Sequence, residues 1–211
     1  MDDRGGDVQD GEVASDAMSL PPDAPSSVDA VRSTLIGSSL LALGELGLDR
    51  AYFERLPAEY HERVRSLGVG EWLPVELAYA HYTTYDALAL TDEQVTAIAA
   101  TASRRTHGVM LRAIGRVVKN LGGLSSSLLA NEIPRLWARS FRGGLVVADP
   151  LGPRELRVRV RGLGDLGRSP YFRAAFAKHY EHGLAVFAKT VEVKTLANPN
   201  TDSFGVKLAW K

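Results

Sequence analysis

Apolar positions recur at helical spacing through the middle of the chain and then alternate with polar positions towards its end. The longest helical pattern begins with a capping box at Thr91–Gln94 and runs to about Leu121. A further helix is predicted over 126–140, with a kink or a break near Pro134. Beyond Gly143-Gly144 the period changes from helical to extended, so these glycines mark the end of a helical half.

The second half predicts two hairpins with a helix between them. The first hairpin joins a short strand at 145–147 to an alternating strand at 155–161 through a Pro/Gly turn. The helix begins at Pro170, and the second hairpin follows in the last part of the chain, with strands near 189–197 and 203–210. The order predicts an α+β fold in which an N-terminal helical subdomain packs on a mostly antiparallel sheet of about four strands.

The region before the long helix predicts several short helices. They cover about 38–47, 48–56 and 57–67, and a longer helix follows the turn GVGEW with Pro74 as its first residue. Val31 to Ile36 fits either an edge strand or the first turn of a helix.

Charge is distributed unevenly along a chain whose formal net charge is zero. Residues 1–29 hold eight acidic residues and one arginine, a net charge of −7, so the rest carries +7. Residues 1–27 are also rich in Asp, Gly, Ser and Pro, which predicts a disordered acidic arm. Residues 28–211 are expected to form one domain.

The composition excludes several kinds of chemistry. The chain has no cysteine, so disulfides, thiol nucleophiles and thiolate metal sites are excluded. No apolar run approaches the roughly 20 residues that span a bilayer, and the N-terminus lacks a secretory signal pattern. A cytoplasmic protein without membrane insertion is the expectation.

A family resemblance rests on scattered motifs at 31–211. The segments are LLALGELG at 40–47, WLP at 72–74, Gly115-Arg116 within the long helix, IPRLWARSF at 133–141 and the closing KLAWK. With this element order, the chain resembles uncharacterised myxobacterial proteins of similar length. Through them it resembles the superfamily of haem-nitric-oxide/oxygen-binding domains, 4-vinyl-reductase domains and Bet3-like TRAPP subunits. The resemblance implies helices over a sheet, a pocket between them and, in many members, dimerisation.

The chain departs from the superfamily at its functional motifs. Haem-binding members hold the haem propionates with a Tyr-x-Ser-x-Arg triplet, and this sequence has none. Ser203 stands where 4-vinyl-reductase members carry a cysteine, and the palmitoylated cysteine of Bet3-like subunits has no counterpart. The resemblance therefore carries a fold to this chain and no residue's role.

Aromatic and histidine side chains are the candidates for a ligand site. Tyr79, Tyr82 and Tyr85 recur every three residues. This spacing is typical of aromatic side chains in a hydrophobic core, and it also fits the wall of a ligand pocket. Trp137 lies on the helix before the first hairpin, and His107 lies on the long helix roughly where a haem-ligating histidine of the superfamily is expected. His107 also fits an ordinary helical position.

A second histidine pair lies in the helix between the hairpins. His179 and His182 are three residues apart, so one helix face could present two nitrogens to a metal. No spacing specifies a third ligand, and we expect neither a metal nor a cofactor, with haem kept as the alternative.

Three arginines project from one face of the strand at 155–161. Arg157, Arg159 and Arg161 alternate with apolar residues, so they form either a solvated face or a surface for an acidic protein partner. Nucleic acid is less well suited, because no aromatic side chains interleave the arginines.

No catalytic motif is present. The segment GLGDLG at 162–167 resembles a dinucleotide loop, but it follows an antiparallel strand and precedes a proline-started helix. We therefore expect a non-enzymatic sensing or protein-interaction module that binds a small apolar ligand and a protein partner, with a homodimer as one form. The alternatives are a haem-based gas sensor and binding of nucleic acid or an acidic partner through the arginines.

Overall fold

The computed structural model describes residues 27–120, 123–196 and 201–211. The predicted acidic arm therefore lies outside the described residues except for Ser27. Over the described ranges the chain has an α+β architecture, in which helices cover antiparallel sheets, as predicted. Its α-helices are α1 (Ser33–Glu45), α2 (Asp49–Arg55), α3 (His61–Arg65), α4 (Val75–Ala87), α5 (Asp92–Asn120), α6 (Ser126–Ser140) and α7 (Pro170–Leu184).

The larger sheet contains the two predicted hairpins. Its strands β4 (Leu145–Gly152), β5 (Glu155–Arg161), β6 (Val191–Thr195) and β7 (Ser203–Trp210) lie in the order β4-β5-β7-β6, and all neighbours are antiparallel. The second hairpin therefore joins the sheet through its last strand. The prediction of about four antiparallel strands with a helix between the hairpins is confirmed.

A second sheet of three short strands was not predicted. Its strands β1 (Ala30–Arg32), β2 (Trp72–Pro74) and β3 (Phe141–Arg142) lie in the order β2-β1-β3. The ambiguous segment Val31 to Ile36 is divided between the two predicted alternatives: Val31 and Arg32 end β1, and the remaining residues form the first turn of α1. β1 is central and not an edge strand, because both neighbours pair with it. Strands of two or three residues are too short to show a period.

The structure tests two helix signals of the sequence, the capping box at the start of α5 and Pro134 within α6. The capping box at α5 is present, because Thr91 Oγ1 accepts from Gln94 N at 3.2 Å and Gln94 Oε1 accepts from Thr91 N at 2.9 Å. Of the kink or break predicted near Pro134, the break is absent, because α6 continues through Pro134 to Ser140. The part of the chain that the structure describes contains no helix long and apolar enough to cross a membrane.

The core extends from the inner face of the larger sheet, under α6 and α7, to α1, α2 and α4. The alternation predicted for β5 places Leu156, Val158 and Val160 inside, each 1% exposed or less, and Val206 and Leu208 of β7 lie beside them, also fully buried. The long helix α5 packs against α7 and α1, outside this layer. The side chains of α5, α6 and α7 therefore determine what fills the space above the sheet.

Candidate ligand cavity

An apolar cavity of about 60 Å³ lies between α5, α6, α7 and the inner face of β7. Most of its lining is aliphatic or aromatic, as is common for small-molecule sites. The lining residues are Leu35, Ser103, His107, Leu111, Ile114, Leu129, Ile133, Leu136, Trp137, Ser140, Phe141, Phe176, His179, Tyr180, Gly183, Leu184, Phe187 and Leu208. Among these described residues none carries a carboxylate, an ammonium or a guanidinium group.

Two histidines of this lining are in edge-to-face contact with each other. His107 of α5 and His179 of α7 have ring centroids 4.9 Å apart at an interplanar angle of 86°. Neither ring has a hydrogen-bond partner among the described residues, although most buried polar groups have one. His179 keeps part of its surface accessible, and that surface borders the cavity. Two imidazoles are thus available to a molecule in this space.

Burial keeps both imidazoles neutral. It lowers the pKa of His107 to about 4, with a smaller contribution from the positive charge of Arg139. Burial also lowers the pKa of His179 to about 3, assisted by the neighbouring His107 and His182. Neutral imidazole has a free lone pair, and it is the form that ligates metals.

A serine hydroxyl adds a polar group to the same cavity. Ser140, the last residue of α6, is 2% exposed, and its hydroxyl has no hydrogen-bond partner among the described residues. A buried hydroxyl without a partner costs about 1–3 kcal/mol, so an occupant that bonded to it would recover part of that energy.

A second, smaller cavity of about 40 Å³ lies on the other side of α7. It is bounded by α1, α4, α5 and α7, and its lining includes Tyr82, Ile98, Ala102, Tyr171 and Phe172. The described residues around it are again uncharged.

Beside the second cavity, a hydrogen-bonded group fills the space between α1, α2 and α4. His81, fully buried, lies 2.8 Å from the hydroxyl of Tyr52 through Nδ1 and 2.9 Å from Ser39 Oγ through Nε2. Burial lowers the pKa of His81 to about 3. Tyr85 lies against this histidine and stacks on Tyr171 at 4.4 Å.

The predicted ligand residues fall in different places. His107 and Trp137 line the larger cavity, and Tyr82 lines the smaller one. Tyr85 belongs to the aromatic core beside His81, and Tyr79 packs against the core without lining either cavity.

Of the residues that α7 contributes to this site, only His179 was singled out from the sequence. It was paired there with His182 for a metal, whereas in the structure it contacts His107. A stripe at Phe176, His179 and Gly183 has helical spacing and could have indicated the wall of a cavity. The described residues contain no group of three or more His, Asp or Glu side chains that could hold a metal ion.

The arginine strand is partly neutralised within its own sheet. Asp149 of β4 lies 2.7 Å from Arg159 Nη2 and 3.4 Å from Arg157 Nε. These side chains and Arg161 are half-buried, so the face is not simply solvated. The shared carboxylate leaves less positive charge for an acidic partner than the sequence indicated.

Comparison with solved structures places this fold with the H-NOX domains. The chain is similar to an Fe(II) unliganded H-NOX protein from K. algicida, with a TM-score of 0.55, 8% identity, and 85% of this chain and 96% of that chain covered. It is also similar to a mutant H-NOX of T. Tengcongensis, with a TM-score of 0.52, 11% identity, and coverage of 85% and 97%.

A third similar structure is an oxygen-binding H-NOX domain related to soluble guanylate cyclases, with a TM-score of 0.50, 12% identity, and coverage of 85% and 94%. No protein-family model matches the chain, and no curated protein matches it. The shared property is therefore the H-NOX-like fold. The resemblance to myxobacterial proteins, 4-vinyl-reductase domains and TRAPP subunits stays a prediction.

These neighbours correct one expectation. From the sequence we expected no cofactor, but the structures that share this fold include haem proteins and an oxygen complex. That expectation came from the absence of a Tyr-x-Ser-x-Arg triplet, which concerns only the contacts to the haem propionates. The triplet gives no information on iron ligands, and two neutral histidines line the apolar cavity.

Proposed function

We propose that this chain is a sensing domain that binds haem in the cavity between α5, α6 and α7 and responds to a small gaseous ligand. The observation that carries the proposal is the pair of neutral imidazoles, His107 and His179, facing an apolar space without protein partners. In this role the chain turns over no substrate, and a protein partner receives the signal.

The side chains fit haem by their chemistry. A neutral imidazole nitrogen from His107 or His179 would ligate the iron, and the aliphatic and aromatic lining would contact the macrocycle. Haem iron held by one protein ligand supplies an open coordination position for a diatomic gas. Arg139, whose charge acts on His107, would be available to pair with a haem propionate.

The cavity volume sets a condition on binding. An engineered protein cavity of about 150 Å³ takes up benzene, so a space of about 60 Å³ is too small for a porphyrin as it stands. Haem would enter only as α5, α6 and α7 move apart. Binding is therefore expected to be coupled to a movement of these helices, which is also how a sensor passes on a signal.

Haem titration of the purified protein tests this proposal. We expect a Soret band that shifts on addition of nitric oxide or carbon monoxide, and we expect His107→Ala or His179→Ala to remove or strongly alter it. His61→Ala is the control, because His61 lies outside both cavities and bonds to Leu56 O. A protein that gives the spectrum of free haem throughout would overturn the haem proposal.

A second candidate is a sensor of a small uncharged molecule without iron. The observation in its favour is the cavity volume, which suits a molecule no larger than a few heavy atoms unless the walls move. Xenon, added under pressure to the haem-free protein, should raise the unfolding temperature, because it is a single uncharged atom that binds apolar cavities. Failure of haem to bind together with a xenon-dependent rise would favour this candidate over the first.

A further inference from the structure

The long helix α5 carries several basic residues and no acidic residue beyond its first turn. From position 94 to position 120 the sequence contains neither Asp nor Glu. The basic residues of this stretch are Arg104, Arg105, Arg112, Arg116 and Lys119. Like charges on neighbouring turns of a helix repel each other, so α5 favours a partner of negative charge.

Two of these arginines lie on the side of α5 that faces away from the larger cavity. Arg105 and Arg112 are both exposed, and they share a helix face because they are seven residues, about two turns, apart. His107 and Ile114 line the larger cavity, and each follows one of these arginines by two residues, which places it on the opposite side. Positions 116 and 119 continue the spacing of the arginines along the same face, hereafter the arginine face of α5.

The arginine face differs from the outer face of the larger sheet in its ion pairs. On the sheet, the carboxylate of Asp149 is shared between two arginines, and Lys207 pairs with Glu155. Arg105 and Arg112 form no ion pair with any residue that the structure describes. The positive charge of the sheet is thus partly neutralised from within, whereas that of the arginine face is available to a partner.

Residues 1–26 of the same chain carry the complementary charge. They hold seven acidic residues against one arginine, a net charge of −6. They precede Val28, whose N–H donates to Gly162 O at 2.7 Å, and Leu35 soon afterwards lines the larger cavity together with His107 of α5. A segment of this length reaches up to about 90 Å when extended, whereas α5, with 29 residues, is about 44 Å long. The arginine face is therefore within reach.

We propose that residues 1–26 dock on the arginine face of α5 through contacts between their carboxylates and the exposed guanidinium groups. Because the segment is tethered, its effective concentration at the helix is on the order of 1 mM, so contacts that are weak individually suffice. The docking depends on charge and does not require haem. It covers the side of α5 opposite His107, so a protein partner that bound there would have to displace it.

Paramagnetic broadening of nuclear magnetic resonance signals tests the inference on the full chain. The chain has no cysteine, so a nitroxide attached to Ser15→Cys labels a single position, next to Asp16. At low ionic strength the amide signals of Arg105 and Gly108 should broaden more than that of Arg157 in the sheet. At an ionic strength of about 1 M the screening length falls to about 3 Å, and this difference should disappear. Stronger broadening in the sheet, or equal broadening at all three amides, would overturn the proposal.

Charge reversal identifies the binding surface. Arg105→Glu combined with Arg112→Glu should remove the broadening on α5. Arg55→Glu combined with Arg154→Glu is the matched control, because it makes the same change in net charge at exposed arginines of other elements, and it should preserve the broadening. Equal losses in the two double variants would show that only the total charge matters and would contradict the arginine face as the docking surface.

A mixed sample separates docking within one chain from docking between copies. Spin-labelled protein without isotope label is mixed with isotope-labelled protein that carries no nitroxide. Docking within one chain predicts no broadening of the observed signals of α5 in this sample. Broadening at Arg105 and Gly108 would show that residues 1–26 bind a second copy, and it would overturn the intramolecular assignment.

Discussion

The hydrogen bonds around His81 determine its protonation state. Ser39 Oγ donates to Ile36 O at 2.8 Å, so towards His81 the same oxygen acts as an acceptor. Nε2 of His81 therefore carries the proton, and Nδ1 accepts from the hydroxyl of Tyr52. A protonated imidazole would place a hydrogen on Nδ1, where Tyr52 already donates. The network thus fixes one neutral tautomer.

Tyr52→Phe removes the donor to Nδ1 of His81. The variant leaves a buried acceptor without a partner, so we expect the free energy of unfolding to fall by about 1–3 kcal/mol. Urea denaturation measures the change. Tyr60→Phe is the control, because Tyr60 is half-buried and its hydroxyl makes no hydrogen bond among the described residues. A loss of equal size in both variants would contradict the role of the Tyr52 hydroxyl.

At the scale of elements, the turn from β3 into β4 depends on Gly144. Its φ is +70°, and a Cβ at this position would lie 3.0 Å from Val28 Cγ2 and 3.2 Å from the carbonyl oxygen of Arg161. The backbone of β5 cannot move away cheaply, because β5 pairs with strands on both sides. In the sequence, Gly144 marks the end of the helical half. In the structure it is also the position where this turn, β5 and the segment at Val28 meet.

Gly144→Ala and Gly47→Ala form a matched pair. Both glycines have a φ of +70°, but a Cβ at Gly47, just after α1, would meet nothing within 4 Å. We expect Gly47→Ala to lower the free energy of unfolding by about 1 kcal/mol through backbone strain alone. Gly144→Ala should lower it by about 3 kcal/mol, because overpacking adds to the strain. Chemical denaturation of both variants checks the difference, and equal losses would show that the predicted contact is absent.

Sequence patterns predicted the elements whose signals are local. The capping box at Thr91 and the alternation at 155–161 each act over a few neighbouring residues, and both elements formed where predicted. The sheet of β1, β2 and β3 joins segments that are about 40 and 110 residues apart, so no local pattern reports it.

The candidate site could be predicted only in part for the same reason. His107 and Trp137 were singled out from their types and helices, and both line the larger cavity. The contact between His107 and His179 depends on how α5 crosses α7, which side-chain packing along the whole interface determines. A single sequence gives the residues on each helix face but not the angle at which two faces meet.

At the scale of the whole molecule, three neutral histidines make stability depend on pH. The pKa values of His81, His107 and His179 are about 3, 4 and 3, below the ordinary value of 6.5 that each regains on unfolding. The unfolded chain therefore binds more protons between pH 6.5 and 4. The stability from these groups is complete above pH 6.5 and is lost progressively as the pH falls through that window.

Thermal and urea unfolding between pH 7.5 and 4.5 measures this dependence. Each histidine should contribute a slope of up to about 1.4 kcal/mol per pH unit below pH 6. His107→Leu should flatten the slope by about one histidine's share. A slope that is the same in the unmodified protein and in His107→Leu would contradict the buried neutral state of His107.

The order β4-β5-β7-β6 also decides how copies of this protein avoid aggregation. The two outer strands present unpaired backbone groups, on which another chain could build a continuous sheet. β6 is short and carries exposed Glu192 and Lys194, and β4 contains Pro150, which has no N–H to donate. Replacing Glu192 and Lys194 with valine should therefore increase concentration-dependent light scattering relative to the unmodified protein. If two copies associate in a controlled way, their contact is expected on the helical side, since both ends of the sheet are protected.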